Sequence, residues 1–201
     1  MTVHSRAYLT PEEYLSLERA AETKSEYIDG EMVAMTGVSR SHNLIVTNLI
    51  RDLSTQVKRR PCEVYPSEMR VWIPATGLYT YPDVVVVCGE PALVDDHFDV
   101  LTNPTVLIEV LSPTTEAYDR GRKFEHYLTL ASLREYLLVS QDQPRVEQFI
   151  RQDDGAHWTF SAETGLDATV ELPSIQCRLA LAEIYDKVSF PLPAPVPTRA
   201  E

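Results

Sequence analysis

Two carboxylates, Asp83 and Glu109, stand inside the two most apolar stretches of the chain, Tyr81-Pro82-Asp83-Val84-Val85-Val86-Val87 and Thr105-Val106-Leu107-Ile108-Glu109-Val110-Leu111. A buried carboxylate left unpaired costs about 3 to 5 kcal/mol, so a cation, a proton or strong hydrogen bonds must compensate it. Strand alternation puts Glu109 on a face with Leu107 and Leu111, and Asp83 with Val85 and Val87, so the acids converge if the strands are adjacent. Two converging carboxylates repel, and one keeps its proton unless a cation bridges them. Mg2+ suits two carboxylates, a backbone carbonyl and several waters, with Mn2+ as a substitute. Such an ion acidifies a nucleophilic water and stabilises charge on a phosphoryl oxygen, which is the chemistry of phosphodiester hydrolysis.

Downstream, Asp119, Lys123 and Tyr127 recur at every fourth position, along one stripe of a helix. An ammonium leaning back over the acids would stabilise negative charge developing on a phosphate. The plainer reading is an exposed Asp119 to Lys123 helix pair, worth about 0.3 to 0.5 kcal/mol. Ser112, Pro113, Thr114 and Thr115 follow the second acidic strand, either shaping the mouth of a site or serving as turn residues.

These side chains need elements to hold them. Thr10, Pro11, Glu12 and Glu13 read as an N-cap, a first-turn proline and first-turn acids, which predicts a helix over 10–19. Asp29-Gly30 between apolar residues predicts an N-terminal hairpin. Leu44, Ile45, Leu49, Leu53 and Val57 recur at helical spacing and predict one amphipathic helix over 41–59. His42 falls in its first turn, where the helix dipole favours a neutral imidazole or a bound anion, or where it is simply near a cap. Strand-like segments at 63–65, 68–73, 82–88 and 106–111 compose the core sheet. A helix over 116–130 and a strand over 135–139 then suggest a parallel crossover, and segments 145–151, 157–161 and 169–172 an antiparallel meander. A short helix over 181–185 ends the pattern, and Pro191, Pro193, Pro195 and Pro197 mark a tail over 189–201 that reads as extended or disordered.

At 201 residues and 44% hydrophobic content, the chain is long enough for a sizeable core, and residues 1–188 read as one domain. Cys62, Cys88 and Cys177 lie far apart, with no Cys-x-x-Cys spacing, so neither a zinc site nor a disulfide framework is indicated and reduced thiols in a cytoplasm fit. The sequence has no signal-peptide core and no apolar run long enough for a bilayer, which argues against secretion and membrane insertion. A net charge of -12 argues against a broad basic surface that binds nucleic acid by counterion release alone. Local cations must then hold any polyanion, and Arg51, Lys58, Arg59 and Arg60 on one helix or Arg120, Arg122 and Lys123 on another are the candidates to line a groove.

The ordered set resembles the PD-(D/E)XK, or restriction-endonuclease-like, nuclease superfamily, and within it the Uma family of proposed bacterial endonucleases. The resemblance covers roughly residues 9–185. It rests on Glu26-Tyr27-Ile28-Asp29-Gly30-Glu31, Ser41-His42-Asn43, Tyr81-Pro82-Asp83, Ile108-Glu109-Val110-Leu111-Ser112-Pro113, and Asp119, Lys123 and Tyr127 ahead of Glu135-Tyr136. It implies an α/β fold, a mixed sheet flanked by helices, with Asp83 and Glu109 as metal-binding acids and the Val110 carbonyl as a third ligand. It implies Lys123 as the catalytic lysine, moved to a helix because Leu111 occupies the superfamily's usual lysine position. Glu26 and His42 fall near the metal, and Asp119 and Tyr127 would orient Lys123.

The leading functional reading is thus a metal-dependent endonuclease with DNA as substrate, compatible with a homodimer. Two others stay open: a non-catalytic binding module on the same fold, which would bind no divalent metal, and a hydrolase of a smaller phosphate ester or nucleotide.

Overall fold

The computed structural model describes residues 8–190. The Pro-rich tail from Pro191 onward lies outside the described residues, as do residues 1–7.

Helix α1 (Pro11–Ala20) begins at a capping box, the Thr10 side chain accepting from the Glu13 N–H and the Glu13 carboxylate from the Thr10 N–H. Strands β1 (Ser25–Ile28) and β2 (Glu31–Ala34) make the hairpin, with Asp29 and Gly30 both at positive φ (50° and 86°) as the tight turn requires. Helix α2 (Arg40–Val57) is capped by Ser39, whose side chain accepts from the His42 N–H. There follow β3 (Cys62–Pro66), β4 (Arg70–Ile73), β5 (Leu78–Thr80), β6 (Val84–Cys88), β7 (Val100–Leu101) and β8 (Val106–Val110). Then come α3 (Glu116–Arg120), α4 (Arg122–Leu128), β9 (Glu135–Val139), β10 (Arg145–Arg151), β11 (Trp158–Thr164), β12 (Thr169–Leu172), a 3-10 turn (Pro173–Ile175), β13 (Cys177–Ala180) and α5 (Leu181–Ile184).

The central layer is a six-stranded mixed sheet ordered β11-β10-β9-β8-β6-β3, antiparallel except for the parallel β8 and β9 pair. That pair is the expected crossover, its two strands joined through α3 and α4. Alternation splits the valine run cleanly. Val84 and Val86 join Val106, Ile108 and Val110 under Ile45, Leu49 and Leu53 of α2. Val85 and Val87 join Leu107, Leu111 and Leu138 on the opposite face, against Tyr127 of α4 and Val71, Ile73 and Leu78 of a second sheet. Helix α2 thus covers one face, and α4 with the second sheet covers the other. Glu109, alternating with Ile108 and Val110, falls on the α4 face.

Several expectations are corrected. The strands over 63–73 do not share one sheet: β4 leaves the core and joins a five-stranded sheet ordered β2-β1-β5-β4-β7, which also takes in the hairpin. The helix over 116–130 is two helices, broken at Gly121, whose φ of -114° and ψ of -100° no continuing helix adopts. The third meander strand, β12, pairs with β13 in a separate two-stranded sheet rather than with β11. Asp83 stands one residue before β6 rather than within it. Cys62 and Cys88 form a disulfide, because β3 pairs with β6 in the register that sets them directly opposite; their 26-residue separation conceals this. Cys177 is a buried free thiol. Among the described residues, no helix is long and apolar enough to cross a membrane.

Candidate active site

The antiparallel register of β6 and β8 sets Val84 opposite Ile108, and one step further along the same register sets Asp83 opposite Glu109. Lying beyond the paired strand, the Asp83 carboxylate is free to turn toward β8. There its Oδ2 accepts the Val110 N–H at 2.8 Å and lies 3.1 Å from His42 Nε2. Glu109 is only 4% exposed. Its Oε1 accepts the Tyr127 hydroxyl at 2.7 Å and lies 2.9 Å from Lys123 Nζ. Leu111, in the place where the superfamily pattern expects lysine, is buried in the core, and Lys123 brings the ammonium in from α4 instead.

Three elements deliver carboxylates to Lys123. Besides Glu109, Glu26 Oε1 from β1 lies at 3.2 Å and Asp119 Oδ1 from α3 at 3.6 Å. The Asp119 contact survives the helix break because α4 resumes at once after Gly121. Glu26 is held in turn by the Thr80 hydroxyl from β5, and an Arg122 to Asp29 ion pair ties the hairpin turn to α4.

One ammonium among three carboxylates cannot neutralise them all, and the directions of the pKa shifts follow. Burial pushes the Glu109 carboxyl up to about 8; Lys123 opposes the shift, and the charges of Asp119 and Asp83 add to it. Burial likewise raises Asp119, again against Lys123. For Lys123, burial works against the charge, but Glu109, Glu26 and Asp119 outweigh it and hold the ammonium well above its ordinary range. The directions agree on a charged Lys123 beside a Glu109 carboxyl that holds its proton more readily than an ordinary carboxylate.

These groups form the floor of a 610 Å³ cavity. One wall is the segment from Met35 to Ser39, joining β2 to α2; another is the loop from Ser112 to Thr115, as its hydroxyls and position suggest. Ser39 donates its hydroxyl to Gln141 Oε1, and Gln141 Nε2 donates to the Leu111 carbonyl at 2.6 Å, so Gln141 links the cap of α2 to the end of β8. Two buried polar atoms on lining residues have no hydrogen-bond partner, His42 Nδ1 and the Tyr118 hydroxyl.

All eight residues singled out from the sequence therefore meet at one place: Asp83, Glu109, Val110, Lys123, Glu26, His42, Asp119 and Tyr127. Thr80, Tyr118 and Gln141 join them without having been foreseen. Spacing held no signal for Thr80 or Gln141, and Tyr118 looks like any aromatic on a helix. Among the described residues, no group of three or more His, Cys, Asp or Glu is arranged to hold a metal ion. Four carboxylates line the cavity, those of Glu26, Asp83, Glu109 and Asp119, and Asp83 and Glu109 are the two at opposed register positions.

A solved structure described as "a putative nuclease belonging to DUF820" from Anabaena variabilis superposes with a TM-score of 0.72, covering 88% of this chain and 97% of that one at 22% identity. At that identity the likeness speaks for the fold. Two proteins of Synechocystis, "Uncharacterized protein sll1609" and "Uncharacterized protein slr1290", are 38% and 37% identical to this chain. The first match spans 85% of this chain and 96% of the relative, the second 90% and 94%. The sequence profile of the Uma2 family, described as "Putative restriction endonuclease", matches residues 11–182, a span that contains every residue of the site. Because that match runs over most of the chain, the chain belongs to the Uma2 family.

Proposed function

We propose that this protein is a magnesium-dependent endonuclease that hydrolyses DNA phosphodiester bonds, with Asp83, Glu109 and the Val110 carbonyl holding the metal and Lys123 at the scissile phosphate. The observation that carries the reading is the pair of carboxylates at opposed register positions on a cavity floor, with the Lys123 ammonium 2.9 Å from one of them.

The donor set fits a hard cation. Asp83 commits Oδ2 to the Val110 N–H and His42, and Glu109 commits Oε1 to Tyr127 and Lys123. Each carboxylate has a second oxygen with which it would hold the ion, and the Val110 carbonyl and water would complete the shell. When bound, the ion supplies an acidified water nucleophile and charge neutralisation at the phosphoryl group.

The chain's own residues do the rest. Glu109 would have to be ionised to serve as a ligand. Tyr127 and His42 keep the two carboxylates in their rotamers, so the donors are placed before substrate arrives. Lys123, anchored by Glu26 and Asp119, keeps its charge in a water-poor setting and presents it to the phosphate oxygen that gains charge in the transition state.

The test is incubation of the purified protein with plasmid, single-stranded DNA, RNA and nucleotides in Mg2+ or Mn2+. DNA cleavage that disappears with chelation and with Asp83→Asn supports the reading. Full-rate cleavage by Asp83→Asn, or hydrolysis of nucleotides alone, contradicts it.

A further inference from the structure

The two edges of the central sheet are built differently. At one edge β3 follows Pro61, ends on Pro66 and exposes Glu63, devices that keep an edge from pairing with another chain. The other edge, β11, runs seven residues without a proline, lysine or arginine, and Glu163 is its one charge. Thr159, Phe160, Ser161, Glu163 and Thr164 are all exposed on it. Phe160 is 54% exposed although its ring lies 5.1 Å from Phe149, at the end of an aromatic row that reaches the core through Tyr136.

The backbone of β11 presents a definite pattern at this edge. Its register with β10 is bracketed by two bonds, from the Gln152 N–H to the His157 carbonyl and from the Gly165 N–H to the Pro144 carbonyl. Alternation between those bonds turns Thr159, Ser161 and Glu163 toward β10 and leaves the N–H and C=O of Trp158, Phe160, Ala162 and Thr164 pointing outward. Among the described residues, nothing bonds to these outward groups.

That row is complementary to itself. Antiparallel pairing with a second copy about Ser161 sets Phe160 opposite Ala162, Thr159 opposite Glu163 and Trp158 opposite Thr164. The residues with outward groups then all fall at hydrogen-bonded positions, so each of those donors and acceptors meets its counterpart. No like charges face each other, because each Glu163 stands opposite a threonine, and the two Phe160 rings come within diagonal reach across the axis. The operation is a closed twofold, so it yields a dimer rather than a filament.

We infer that the β11 edge is a dimerisation surface, on which a second copy of this chain adds its own β11 antiparallel about Ser161. Nothing in the pairing depends on the chemistry of the cavity, so it stands or falls apart from the nuclease reading.

Sedimentation equilibrium of the full chain at micromolar concentration should give twice the mass of one chain. Ala162→Pro removes an outward N–H and takes no bond from β10, and Phe160→Lys puts a charge on the bare edge. Both variants should sediment as monomers and keep the wild-type circular dichroism spectrum. Ser161→Cys should form a disulfide-linked dimer on mild oxidation, because Cα atoms at such a position lie about 4.5 Å apart. Thr159→Cys should not, since the two copies of that position are about 14 Å apart along the strands. A monomeric wild type, a dimer that survives both edge substitutions, or equal cross-linking of the two cysteine variants overturns the inference. Should either edge variant fail to fold, the cysteine pair decides alone.

Discussion

The Tyr127 hydroxyl donates to Glu109 Oε1 at 2.7 Å, joining α4 to the middle of the central sheet at one of the carboxylates on the cavity floor. Tyr127 is fully buried and Glu109 is 4% exposed, so the bond lies largely out of reach of bulk water. Tyr127→Phe should therefore destabilise the protein by about 0.5 to 1.5 kcal/mol, the net worth of one hydrogen bond, since Lys123 still lies 2.9 Å from the same oxygen. Urea unfolding checks this, and an unchanged midpoint would show that the bond contributes nothing.

Lys123→Met separates charge from packing. With the ammonium gone, DNA cleavage should fall by about 100-fold or more. Lys123→Arg should not restore it, since a planar fork cannot occupy a pocket shaped around a compact ammonium. The variant must be verified as folded, because Glu26 and Asp119 lose their partner together. Cleavage kinetics at saturating metal provide the readout, and wild-type rates in Lys123→Met would remove Lys123 from the mechanism.

The Glu109 carboxyl gives stability a pH dependence of definite sign. Burial raises it from 4.5 to about 8, so the folded protein holds a proton that the unfolded chain releases at lower pH. Its stabilising contribution is fully present below about pH 4.5 and is lost as the pH rises through about 8, an effect on the order of a few kcal/mol. Metal-free Glu109→Gln should lack this slope. Asp119 and Glu135 are also raised by burial, so the difference between wild type and variant isolates the Glu109 share. Denaturant titrations in chelator across this pH range measure it, and parallel curves for the two proteins would contradict the assignment.

The Cys62 to Cys88 disulfide should stabilise the fold without serving the chemistry. It closes a 26-residue span at the end of β6 remote from Asp83. Loop closure of that length corresponds to about 3 kcal/mol. Reduction, or Cys88→Ser, should lower the thermal midpoint while leaving cleavage below that temperature unchanged. Loss of activity ahead of unfolding would place the bond in the site's architecture.

What could be read from the sequence depended on how local each signal was. Glu109 announced itself as a charge within an apolar run, and Lys123 through its four-residue spacing from Asp119 and Tyr127. The turn at Asp29 and Gly30 and the cap at Thr10 are decided by their own few residues, and both formed as expected. Gly121 gave no warning of a helix break, because a lone glycine is tolerated in many helices. Strands β5 and β7 are three and two residues long, too short for any periodicity to mark them. Cysteine pairing and the Thr80 contact with Glu26 depend on which strands neighbour each other, which is set by tertiary packing.

A nuclease mechanism at Asp83 and Glu109 presupposes that these acids bind a divalent cation, and that binding can be measured on its own. Isothermal titration of Mn2+ into the full chain should reveal binding that weakens at least about 10-fold in Asp83→Asn and in Glu109→Gln, with both variants folded. Undiminished Mn2+ binding by the Asp83→Asn, Glu109→Gln double variant, or none by the wild type, would contradict the account.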